Sequence, residues 1–96
     1  MVISILQLII ELPESSSLKD KRREIKSLKE KLIRQFKLSV AEVDLLNSIS
    51  FGHLAAAIVS NSRQFGESVL HKAISFAEKN VVGRVVDVQV FSEKYD

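Results

Sequence analysis

Few residues in this 96-residue chain are suited to chemistry. Glu42 and Asp44 stand two apart, as on one face of a strand. A hairpin turning on Asn47-Ser48 would set His53 opposite Glu42 and Phe51 opposite Asp44. A carboxylate beside an imidazole can move a proton or hold part of a metal site. Glu67 and His71, four apart, would share one face of a helix and could supply two further ligands. Neither set is complete, because the chain has two His and no Cys, and no third imidazole or thiol is placed to finish a site. No serine lies in a G-x-S-x-G elbow, and with three glycines in all there is no phosphate-cradling loop. No catalytic residue, metal or cofactor is therefore expected. An enzyme reading would rest on Glu42, Asp44 and His53 alone.

The second pattern with chemical consequence is a run of cations. Ser15 to Lys37, SSSLKDKRREIKSLKEKLIRQFK, holds nine of the fourteen Lys/Arg against three acids. That is a local charge of +6 in a chain of net charge +2, so the remainder is acidic. Four of the nine, Lys19, Lys21, Arg22 and Arg23, would fall in the first two turns of a helix, where the helix dipole favours anions. Each exposed cation there costs about 0.3–1 kcal/mol at low salt, so stability does not select them. Free N–H groups at a helix start together with such cations attract phosphate. Lys19, Lys21, Arg22, Arg23, Lys26, Arg34 and Lys37 are the expected nucleic-acid contacts. The competing reading is a solvated lysine-rich face that serves solubility.

The elements that must position these residues follow from periodicity. Val2 to Leu12 is a nearly continuous apolar run, as in a central strand. It lacks a basic leader and is too short to span a bilayer, so a buried first strand of a cytoplasmic protein is expected, with no membrane contact. Pro13 ends it, and Ser17 with Asp20 has capping-box spacing. Leu18, Ile25, Leu28, Leu32 and Phe36 then line one side of a helix, and Glu30 stands four before Arg34, the favourable order for an ion pair. Leu38 to Leu46 and Ile49 to Ser60 read as a hairpin. Asn61 with Gln64, or Ser62, caps a second helix whose inner face carries Val69, Leu70, Ala73, Ile74, Phe76 and Ala77, with Gly66 allowing close approach to the sheet. Val81 to Glu93 is a last strand.

The order β-α-β-β-α-β with right-handed crossovers gives an α+β, ferredoxin-like sandwich. It is a single domain over residues 1–96, with a four-stranded antiparallel sheet of order 4-1-3-2 and both helices on one face. Alternation assigns Leu6, Leu8, Ile10, Val43, Leu54, Ile58, Val86, Val88 and Val90 to the helix side. The uncovered face then shows Ile3, Ile5, Ile9, Val40, Ala55, Ala57, Val59, Val85 and Phe91, edged by Gln7, Glu11, Glu42, Asp44, Asp87 and Gln89. So apolar a face suggests a homodimer or a protein partner, with Ile3, Ile5, Ile9, Val40, Val85 and Phe91 at the interface. It has few aromatics and many acids, unlike the RNA-stacking sheet of an RNA-recognition motif.

LPESSSLKDKRREIKSL, FKLSVAEVD, AAAIVSNSR and VVDVQV, in this order and spacing, resemble the YlxP-like proteins over essentially the whole chain. The most specific parts are Ser17 to Arg22 and Ser39 to Asp44. The chain departs from the family at Leu45 to Ser50, where a polar, tryptophan-containing stretch is common. The resemblance implies a ferredoxin-like fold and a genomic setting shared with ribosome-maturation and translation-initiation factors, and it brings no catalytic residues. The expected function is a noncatalytic module that docks its first helix on structured RNA or the ribosome. The alternative is a homodimeric protein-interaction or ligand-sensing module using the open sheet.

Overall fold

The computed structural model describes all 96 residues, Met1–Asp96. Its elements are β1 (Val2–Glu11), α1 (Leu18–Phe36), β2 (Ser39–Asp44), β3 (Phe51–Ser60), α2 (Arg63–Asn80) and β4 (Arg84–Lys94). The strands form one antiparallel sheet in the order β2-β3-β1-β4, the expected ferredoxin-like arrangement read from the other edge. α1 lies over the β2–β3 side and α2 over the β1–β4 side. No helix is long and apolar enough to cross a membrane.

Strict alternation in β1 builds the core. Val2, Ser4, Leu6, Leu8 and Ile10 are buried under the helices, while Ile3, Ile5, Gln7, Ile9 and Glu11 face the other way and are half-buried. Leu6, Leu8 and Ile10 join Leu54 and Ala56 of β3, Ile25, Leu28 and Leu32 of α1, and Leu70, Ala73 and Ala77 of α2. Each large aliphatic group so buried contributes about 1.5–3 kcal/mol. Ser4 is the one buried hydroxyl in the sheet, and its Oγ shares a hydrogen bond with Ser92 Oγ at 2.8 Å. Gly66 sits directly above it: a Cβ there would lie 2.3 Å from Ser4 Oγ. That close approach is the reason for glycine in the first turns of α2.

Both edge strands depart from the expected faces. The hairpin pairs Glu42 with Leu54 and Val40 with Ala56, one residue out of the register that a turn on Asn47-Ser48 would impose. Because side chains alternate with a period of two, this slip moves Val40 and Glu42 to the helix side. An irregularity between Glu42 and Asp44 then returns Asp44 to the open face opposite His53 and leaves Val43 half exposed. In β4 the register shifts between Ile9 and Ile10, so that Asp87 and Val85 are their successive partners. Val86 is the extra residue, 45% exposed, and Val85 turns inward against the core. Val40 and Val85 therefore belong to the core and not to an open-face interface.

Candidate nucleic-acid interface

The start of α1 is fixed by its own serines. Ser17 Oγ accepts from Asp20 N–H at 3.1 Å, and the Asp20 carboxylate accepts in return from Ser16 Oγ at 2.8 Å and Ser16 N–H at 3.3 Å. The reciprocal bond thus reaches one residue further back than in a capping box. The Ser16 hydrogen bonds, with a smaller contribution from Arg23, hold the Asp20 carboxyl below its ordinary value of 3.8. At the other end Lys37 takes a left-handed conformation, φ 57°, and its N–H closes on Ile33 O at 3.0 Å.

Between these ends, Lys19, Arg22, Arg23, Lys26, Arg34 and Lys37 are exposed, as a phosphate-contacting ridge requires. At 1.5 Å per residue the ridge runs about 27 Å along the helix axis. Arg23 is shared with Asp20 at 3.5 Å and Glu24 at 3.7 Å, both solvated contacts. The expected Glu30–Arg34 pair does not form. Apart from Arg23, the exposed cations of this ridge have no acid partner within ion-pair distance.

Lys21 is the correction. It is fully buried, and its Nζ donates to Glu42 Oε2 at 2.6 Å and to Leu45 O at 2.8 Å. It cannot touch RNA; it fastens α1 to β2 and to the β2–β3 loop. The sequence holds a signal for this, because Lys21, Ile25, Leu28 and Leu32 are the four buried positions of α1 and follow one helical stripe. A lysine in an apolar stripe requires an acid opposite, and only the slipped β2 register supplies Glu42.

That same register dissolves the Glu42, Asp44 and His53 set. Glu42 points to the helix side, whereas Asp44 and His53 face the other way, and His53 Nε2 hydrogen-bonds Gln7 Oε1 at 2.8 Å. Glu67 and His71 line a shallow groove of about 840 Å³ between the helices, beside Phe36, Phe76, Lys72 and Lys79. No group of three or more His, Cys, Asp or Glu is placed to hold a metal ion.

On the open sheet face, Ile3, Ile5, Ile9 and Phe91 lie as expected, Phe91 being 58% exposed. Charge divides between the two layers. Residues 18–37 carry nine cations and three acids and α2 carries three and two, +7 together; the remainder carries two cations and seven acids, −5.

The family model described as "Protein of unknown function (DUF503)" matches residues 3–90, so the chain belongs to that family. No curated protein matches the sequence. Among solved structures, the chain is similar to a de novo designed protein with ferredoxin fold, LFR1 1, at TM-score 0.57 and 7% identity, covering 97% of this chain and 83% of the other. It is also similar to the de novo designed protein Foldit4 (TM-score 0.53, 13% identity, 99% and 98% covered). A third is At3g17210 from Arabidopsis thaliana (TM-score 0.53, 14% identity, 98% and 95% covered). At such identities the likeness concerns the fold alone.

Proposed function

We propose that this member of the DUF503 family is a noncatalytic RNA- or ribosome-associated module that docks through the exposed ridge of α1. The observation that carries the reading is segregation: exposed cations, all but Arg23 without an acid partner, extend for about 27 Å on the helical layer, which carries a net charge of +7 against −5 for the rest of the chain. A ridge of that length suits an extended polyanion rather than a single phosphate. Lys19, Arg22, Arg23, Lys26, Arg34 and Lys37 would neutralise phosphates and position the protein, without reading sequence. Cations in the first turns of α1 work against the helix dipole, a cost that phosphate binding would offset. The resemblance to YlxP-like proteins and their ribosome-maturation setting points the same way.

The test is binding to ribosomal RNA fragments and intact subunits across a salt series. Each neutralised phosphate contributes about −0.7 to −0.9 to the log–log slope. Since Lys21 is buried, the informative variant is Arg22→Gln/Arg23→Gln/Lys26→Gln, which should flatten the slope by about two to three units with the fold intact. An unchanged slope would reject α1 as the interface.

A second reading is favoured by the apolar open face, where Val59 and Phe91 are 64% and 58% exposed beside Ile3 and Ile5. It takes this face as a protein-interaction surface, for a second copy or for another partner. Both readings hold together if one layer meets RNA and the other meets protein.

A further inference from the structure

We infer that the open sheet face docks a basic amphipathic helical segment of a protein partner in preference to a second copy of this chain. This rests on the second reading above, that the face is an interaction surface, and adds the chemistry of its occupant. Pairing across the sheet gives the floor: Val59, Ile3 and Glu93 form one row, Ala57, Ile5 and Phe91 the next, then Ala55, Gln7 and Gln89, then His53, Ile9 and Asp87. Asp44 extends the last row on the β2 side. Along the two central strands the face is aliphatic except for Gln7 and His53, which hydrogen-bond each other, and its lateral edges carry Asp44 on one side and Asp87 and Glu93 on the other.

Those three acids are exposed, and none makes an ion pair within the chain. Their nearest internal partners are neutral: Asp44 accepts from Leu45 N–H at 2.8 Å, and Glu93 accepts from Tyr95 Oη at 2.8 Å. The one cation on the face, Arg84, is taken up by Glu11 at 2.7 Å. A second copy placed face to face would bring two such acidic rims together. A nucleic acid would meet the same repulsion. A helix with an apolar stripe flanked by Lys or Arg matches both floor and rim. The ten residues of β1 span about 33 Å at 3.3 Å each, room for about 20 helical residues.

The probe is an 18-residue Leu/Lys peptide patterned as an amphipathic helix, titrated at low and high salt while backbone amide shifts are followed. Controls are a Ser/Lys peptide of equal charge and a Leu/Glu peptide of equal pattern. The Leu/Lys peptide should bind and move amides of β1, β3 and β4 at open-face positions, and binding should weaken at high salt. The Asp44→Asn/Asp87→Asn/Glu93→Gln variant should bind it at least about tenfold more weakly, since rim charges steer and discriminate. Equal binding of Ser/Lys or Leu/Glu peptide, shifts confined to the helices, or an unaffected triple variant would each overturn the inference. Light scattering decides between this inference and the reading beneath it. A dimer that Phe91→Asp dissolves would overturn the basic occupant and keep the interface, whereas a monomer that ignores the peptide would end both.

Discussion

The helical layer and the sheet bury the same apolar core between them, yet their outer surfaces are opposite in character. α1 turns a ridge of cations to solvent. The sheet turns out Ile3, Ile5, Ile9 and Phe91 between Asp44, Asp87 and Glu93. Neither surface is what stability alone would select, since cations oppose the start of α1 and aliphatic side chains meet water on the sheet. The difference teaches that this small domain keeps its cationic ridge and its acid-rimmed apolar face on opposite layers.

The contact joining the two sides offers the largest effect. Lys21→Met keeps the aliphatic stem but strands Glu42, whose side chain is 18% exposed. The expected loss is about 3 kcal/mol, at the lower end for a broken buried pair because Glu42 retains some water. Lys21→Met/Glu42→Leu should recover most of it, as apolar replacements of buried pairs do. Urea unfolding measures both. The folded single variant should keep the full salt slope for RNA, in contrast to Arg22→Gln/Arg23→Gln/Lys26→Gln. A flattened slope would return Lys21 to the binding surface.

Next in size is Gly66→Ala, which places a methyl against Ser4, whose hydroxyl pairs with Ser92 in the sheet beneath α2. A loss of about 1–2 kcal/mol is expected by thermal unfolding, and Gly66→Ala/Ser4→Ala should regain part of it.

Lys19→Glu separates function from stability by sign. An acid near the helix start should raise stability by about 0.3–1 kcal/mol, a gain of a few degrees in Tm, while RNA affinity falls. Affinity and stability moving in the same direction would break the proposed assignment of the ridge.

The smallest effect is the pH dependence of the α1 cap. Hydrogen bonds from Ser16 lower the Asp20 pKa, so the unfolded chain binds the proton more readily than the folded one. This contribution is complete above the ordinary value of 3.8 and is lost as pH falls below it, through the lowered folded value. In Asp20→Asn the stability difference from the parent should therefore shrink toward zero in acid. A difference that grew as pH fell would contradict the cap geometry.

The sequence by itself determined the six elements and their order, because local signals specify each one. Apolar continuity marks β1, the Ser17 cap marks α1, Asn61 or Ser62 marks the start of α2 (the structure uses Ser62), and the stripe of Ile25, Leu28 and Leu32 orients α1. It also determined where the cations gather, since a ridge on one helix needs only helical spacing. What the tertiary structure alone decided was which way the edge strands face. A single-residue slip in β2 and an extra residue at Val86 took Val40, Val85 and Glu42 inward, and with Glu42 they drew Lys21 out of the ridge. Period-two alternation records that two residues share a face and not which face it is. Packing across the two layers settles it: on the helix side Glu42 meets the buried Lys21 ammonium, and Val40 and Val85 meet the core.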